Sequence, residues 1–140
     1  MNDIKNYIKV TKLNKTKNLQ SLENGIGYHL GSAVACHNGE GMKFITYLEF
    51  PANKVKGNHY HKDKIEHMCI IKENIKAKYY FPTDPNNSYE ILLEEGDVVT
   101  ICPNCAHAYL SEKGCSAIEF SPQKFGNKDV FSIDDRKGVF

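Results

Sequence analysis

Two imidazoles and a carboxylate stand close together in Gly57-Asn58-His59-Tyr60-His61-Lys62-Asp63-Lys64-Ile65-Glu66. In an extended strand, residues i and i+2 share a face, so His59 and His61 present two ring nitrogens side by side while Tyr60 points away. After the turn-like Lys62-Asp63-Lys64, Glu66 shares a face with Met68 and Ile70; if those two face the core, Glu66 points inward as well. An isolated carboxylate on an apolar inner face is too costly to keep, so it must be paired or bound to a cation. The competing reading is an exposed His-x-His pair with Glu66 on the surface, which needs no cation. A second segment, Gly96 to His107, reads as a turn at Glu95-Gly96-Asp97, a buried strand VVTIC and a tight turn at Pro103-Asn104. Asn tolerates the left-handed backbone usually given to Gly. His107 then opens a new strand and can complete a set of three nitrogens and one carboxylate oxygen, with positions left for water or substrate. Such donors suit one divalent metal ion; zinc, iron, manganese and nickel are all compatible, and the sequence does not choose among them.

The elements that must position these residues are short strands with period-2 alternation, separated by turn residues. MKFITYLEF (Met42 to Phe50) ends at Pro51, NHYH leads through the turn to IEHMCII, and IKAKYYF (Ile75 to Phe81) stops at Pro82 before a polar loop TDPNNS. EILL, DVVTIC, HAYL and SAIEF follow, each bounded by Gly, Pro, Asn or Ser. The chain is therefore expected to be all-β, a sandwich or a jelly-roll barrel. Residues 1–41 are harder to place, with turn signals at Asn24-Gly25-Ile26-Gly27 and at His37 to Gly41. The polar tail after Phe125 is expected to cover one end of the barrel.

At 140 residues and 15.9 kDa the chain fits one domain, residues 1–140, with a core that needs no disulfides. Lys+Arg 18 against Asp+Glu 17 gives a net charge of +1, so no global field favours nucleic acid or a membrane surface. The N-terminal stretch is the exception, with Lys5, Lys9, Lys12, Lys15 and Lys17 against Asp3. Ile4, Ile8, Val10 and Leu13 interleave with those lysines, which favours a half-buried strand or dimerisation arm over a nucleic-acid arm. No apolar run approaches the roughly 20 residues of a membrane span, and the first residues lack the apolar stretch of a secretory signal. Cys36, Cys69, Cys102, Cys105 and Cys115 form an odd set that fits reduced thiols, and a cytoplasmic protein is expected. Cys102-Pro103-Asn104-Cys105 has no second CxxC and no βαβ context, so two thiols packed around a turn are preferred to a zinc or redox pair. His67 should point away from Glu66, as a surface or interface residue. His29 and His37 are open as caps of the site. Tyr47, Tyr79 and Tyr109 are candidates for a general acid or base beside a substrate.

The two segments resemble the paired motifs of the cupin superfamily, over about half the chain from Gly57 to Ser111. His59, His61 and Glu66 match the first motif, with Glu73 where a closing Gly is expected. Gly96 and His107 match the second, with Cys102 at a Pro position, Asn104 at a Gly position and Ser111 at the final Asn position. The resemblance implies a single-domain cupin jelly-roll β-barrel, its motif-bearing core at about 42–121, that holds a metal on His59, His61, Glu66 and His107. The string Gly-Asn-His-Tyr-His-Lys, with Ile118-Glu119-Phe120-Ser121-Pro122 and Phe125, resembles the small cupins of sugar-nucleotide and capsular-polysaccharide biosynthesis. That likeness implies an epimerase or isomerase acting next to the carbonyl of a keto-sugar or sugar nucleotide, the four ligands acting through the metal. An iron-dependent dioxygenase of a small thiol or acid and a non-catalytic metal- or ligand-binding module are the alternatives, since one barrel hosts many chemistries. The partners expected are a small-molecule substrate and a second copy of the chain in a homodimer, with neither nucleic acid nor membrane.

Overall fold

The computed structural model describes residues 2–12, 41–134 and 139–140. His29, His37, Cys36 and the turn at Asn24 to Gly27 lie outside the described residues. Among the described residues, ten strands follow a short 3-10 turn at Ile4–Tyr7: β1 Ile8–Thr11, β2 Phe44–Phe50, β3 Val55–Tyr60, β4 Glu66–Lys72, β5 Ile75–Phe81, β6 Asp84–Leu93, β7 Val98–Ile101, β8 Ala106–Leu110, β9 Cys115–Ser121 and β10 Phe131–Ser132. They form two antiparallel five-stranded sheets, ordered β1-β7-β4-β9-β2 and β10-β3-β8-β5-β6. The architecture is all-β, two antiparallel sheets packed face to face in the jelly-roll manner expected from the sequence. Among the described residues no helix is long and apolar enough to cross a membrane.

Alternation decides what lies between the sheets. Met68 and Ile70 on β4, Val99 and Ile101 on β7, and Ala117 on β9 meet Ile75, Ala77 and Tyr79 on β5 and Leu93 on β6, all buried. Each such aliphatic side chain contributes about 1.5–3 kcal/mol by leaving water. The same alternation puts Ile45 and Tyr47 of β2 on the outer face, 70% and 60% exposed.

Two expectations are corrected. The polar stretch Thr83 to Ser88 is not a loop: all but its first residue belong to β6, which begins at Asp84. β6 is an edge strand, where Pro85 costs no essential ladder bond, and Asn87 repays its place by receiving the Ile4 N–H at 3.4 Å and donating to the Asn2 carbonyl at 2.9 Å. His67 does face away from Glu66, but it is buried rather than on the surface. It is 1% exposed, its Nδ1 lies 2.8 Å from Thr100 Oγ1, and it stacks on Phe120 at 5.2 Å.

The Lys-rich N-terminus is a half-buried strand of its own sheet: β1 pairs with β7, Ile8 opposite Ile101 and Val10 opposite Val99. Lys12 anchors its end on the buried Asp97 carboxylate at 2.5 Å.

Candidate metal centre

The first positioning device is a bulge in β3. Gly57 pairs with Ala108 and His59 with His107, so the register shifts between them and Asn58 is an extra residue in β3. One inserted residue reverses which side the following residues face, and it turns His59 inward opposite His107. Gly57 and Asn58 both have left-handed backbones, φ 85° and 66°. A Cβ on Gly57 would meet the His107 carbonyl oxygen at 3.0 Å, so the close pairing of β3 with β8 needs glycine there. The buried Asn58 side chain fixes the bulge from behind: its Nδ2 donates to the Ile133 carbonyl at 2.8 Å, and its Oδ1 accepts from the Tyr80 hydroxyl at 2.5 Å. Asn104 has the left-handed backbone expected of it, φ 64°, as does Glu73 at the closing position of the first motif.

The structure brings His59, His61, Glu66 and His107 together, with one potential ligand atom from each lying within 4.8 Å of all the others. The rings of His59 and His107 are 4.7 Å apart, those of His59 and His61 5.1 Å. His61 Nδ1 lies 2.7 Å from the Asp129 carbonyl and His107 Nδ1 lies 3.1 Å from the Cys105 carbonyl. Each Nδ1–H therefore donates to backbone, which turns the Nε2 lone pair inward. His61 Nε2 approaches Glu66 Oε2 to 3.2 Å and His107 Nε2 approaches Oε1 to 3.7 Å, yet neither buried nitrogen makes an aligned hydrogen bond. Two orphaned, inward-aimed nitrogens beside a buried carboxylate fit a divalent ion well.

Protonation agrees with that donor set at His59, His107 and Glu66, while without a cation Glu66 favours a proton on His61. Burial, then the neighbouring His107, lowers His59 from 6.5 to about 3, and burial likewise lowers His107. For His61 burial works against the proton, but the Glu66 carboxylate and the Asp129 carbonyl outweigh it and raise its pKa. Burial alone would raise Glu66; His107, His61 and Lys64 together hold it below the ordinary carboxylate range, so it is ionised.

Two further charges share the cavity, which has a volume of about 230 Å³. Lys64 is only 5% exposed; its Nζ lies 3.4 Å from Glu66 Oε2 and pairs with Glu119 Oε1. Burial and then Glu66 raise Glu119, against the pull of Lys64. Sequence reading passed over both, although Lys64 precedes Glu66 by two residues and Glu119 follows Ala117 by two, the spacing that shares a face. Asp129 was missed as well, and no local pattern announces it. Its carboxylate accepts the N–H groups of Lys62 at 2.8 Å, Asp63 at 3.2 Å and Lys64 at 3.0 Å. The segment after Phe125 thus clasps the turn between His61 and Glu66.

Of the tyrosines, Tyr109 lines the cavity and Tyr79 lies beside it, ring centroids 6.3 Å apart. Burial raises both phenols, so they stay protonated. Tyr47 is not brought to the site: it is on the outer face of β2. Burial, then Cys102, pushes the Cys105 thiol up to about 12, which suits a packed thiol and not a thiolate.

No family model matches the chain, and no curated protein matches it by sequence. Solved structures do match in fold. QdtA, a sugar 3,4-ketoisomerase from Thermoanaerobacterium thermosaccharolyticum in complex with TDP, superposes with a TM-score of 0.65 at 16% identity, over 92% of this chain and 90% of that one. A 3,4-ketoisomerase from Helicobacter canadensis gives 0.67 at 14% identity, over 90% of each. The capsular polysaccharide assembling protein CapF from Staphylococcus aureus gives 0.57 at 17% identity, over 64% of this chain but 27% of that one.

Proposed function

We propose that this chain is a single-domain cupin enzyme that epimerises or isomerises a keto-sugar or sugar nucleotide next to its carbonyl, without net oxidation. The observation that carries the reading is the cluster itself: three imidazoles and a carboxylate converge in one cavity, with two buried ring nitrogens left without hydrogen-bond partners. The likeness to solved sugar 3,4-ketoisomerases supports the substrate class.

His59, His61, Glu66 and His107 hold one divalent ion in this reading. When bound, the ion supplies positive charge where a carbonyl oxygen gains negative charge. The chain's own residues do the rest. The Asp129 and Cys105 carbonyls keep His61 and His107 in the tautomer that faces the cavity. Tyr109, protonated and lining the cavity, donates a proton or a hydrogen bond to a substrate oxygen, and Tyr79 packs behind it. The aromatic rings of Phe50 and Phe125 on the cavity wall keep bulk water from the reacting carbon.

The chemistry leaves an isotopic trace. In deuterium oxide, a TDP-linked 4-keto-sugar incubated with the protein should exchange its α-proton, and Glu66→Ala should lose that exchange. Failure of exchange across a panel of keto-sugars, with oxygen consumption by iron-loaded protein given a small thiol or acid, would replace this reading with the dioxygenase one. We also read the protein as a cytoplasmic homodimer; among the described residues β1 and β2 are the outer strands of their sheet, and such edges need cover. Light scattering at micromolar concentration should give twice 15.9 kDa.

A further inference from the structure

Lys64 is a cation built into a site that also suits an external one. Its Nζ lies 3.4 Å from Glu66 Oε2 and is paired with Glu119 Oε1, and the rings of Phe44 and Phe125 lie over it at 5.0 and 5.8 Å. Its backbone is held too, by the N–H donated to Asp129 Oδ2 at 3.0 Å. With both ends fixed and 5% of the residue exposed, the ammonium cannot leave for water without undoing this packing. It must settle between the two carboxylates within reach. Glu119 comes from β9, opposite Met68 of β4, in the sheet that does not carry His59 and His107.

We propose that Lys64 competes with the divalent ion for Glu66 and that Glu119 draws Lys64 off, so that this pair sets how tightly the centre binds metal. The inference rests on the metal reading of the four-residue cluster. Charge balance gives it direction. With neutral histidines, Glu66, Glu119 and Lys64 leave one negative charge in the cavity, which a divalent ion turns into one positive. Without the lysine there are two negative charges, and the ion makes the site neutral. Without the Glu119 charge the cavity is neutral before the ion arrives, and Lys64 has only Glu66 to pair with. In a low-dielectric cavity these differences act strongly on a doubly charged ligand.

Lys64 and Glu119 are thus positioning residues, and their coupling separates this role from mere packing. Cobalt(II) alone is titrated into chelator-treated protein and followed by its visible absorption and by calorimetry, with thermal melts as the check on folding. Lys64→Met, which keeps the length under the two rings, should tighten binding at least about tenfold, and Glu119→Gln should weaken it about tenfold, the scale of residues that act on a metal through its ligands. In the Lys64→Met background, Glu119→Gln should cost clearly less than in the wild type, because only its direct attraction for the ion is lost and the residue it restrains is already gone. Lys64→Gln replaces the Met variant if that protein does not fold. Equal affinity of wild type and the Lys64 variant, or the same loss from Glu119→Gln in both backgrounds, overturns this inference and leaves the metal centre standing. Binding by none of the proteins overturns the metal reading and this inference with it.

Discussion

Two stretches of the barrel interior lie two residues apart on the same strands and differ in almost everything. At one end the inward positions of β4, β8 and β9 carry Glu66, His107 and Glu119; next along they carry Met68, Tyr109 and Ala117. The apolar stretch is held by burial alone: Met68, Ile70, Ile75, Leu93 and Val99 are all at most 1% exposed. The polar stretch is equally buried, but it is held by partners that come from outside the sheets, chiefly Asp129 from the segment after β9. A strand's periodicity supplies direction for both; only the polar end also requires a clasp to fix its angles. The two ends should therefore fail differently.

The largest effect should come from Glu66→Ala. It removes the one carboxylate among the four candidate ligands, and metal affinity and α-proton exchange should both fall by more than about a hundredfold, a larger loss than that of an outer-shell partner. Metal content by elemental analysis and exchange by NMR check it; retention of both by the variant would leave Glu66 as no more than the counterion of Lys64. The opposite behaviour is expected two positions past Met68. Ile70→Ala should cost about 2–5 kcal/mol of stability through the cavity it leaves, seen in denaturant melts, while metal bound per folded molecule stays unchanged. If Ile70→Ala strips the metal, the two ends are not separable as described.

The contrast also explains which parts were legible in the sequence. The strands of the apolar end follow from alternation, and Ile75 to Phe81 is β5 with the boundaries expected. His59, His61 and Glu66 were legible as a face of inward residues, although the phase rests on a bulge at Gly57-Asn58 that alternation alone does not reveal. Lys64 was hidden because a Lys-Asp-Lys run reads as a solvated turn, whereas here its third residue is tied down by Asp129 and covered by Phe44 and Phe125. Asp129 was out of reach for a plainer reason: it lies 68 residues from His61 along the chain, and such a contact has no local signature. The polar Asp84 to Ser88 stretch misled for the converse reason, since an edge strand tolerates residues that a central strand does not.

Asp129 gives a smaller and more pointed test of the clasp. Asp129→Ala keeps the backbone carbonyl that orients His61 but removes the carboxylate that gathers the N–H groups of residues 62–64. Metal affinity should fall about tenfold, with little loss of stability in the apolar core. Unchanged affinity would show that the turn between His61 and Glu66 holds its shape without the clasp.

The effect most particular to the polar end is the dependence of stability on pH in the presence of chelator. His59 falls from 6.5 to about 3 on folding, first through burial and then through His107, so the unfolded chain binds its proton first as the solution is acidified. Stability from this group is complete above 6.5 and is lost as pH falls from there toward the folded value. His107, lowered by its own burial, acts in the same direction. His61 is raised, because Glu66 and the Asp129 carbonyl outweigh its burial; its contribution is complete below 6.5 and is lost as pH rises through the folded value. The two windows meet at 6.5, and each histidine contributes at most about 1.4 kcal/mol per pH unit within its window. Melting temperature should thus peak near that pH and decline on both sides. His59→Asn should flatten the acid side between about 6.5 and 4.5, above the range where carboxylates titrate, while His61→Asn should flatten the alkaline side. No core variant should change the shape: Ile70→Ala lowers the whole curve and leaves its maximum in place. A maximum that moves with Ile70→Ala, or stays sharp in both histidine variants, would mean that the pH response belongs to the fold at large and not to the polar end.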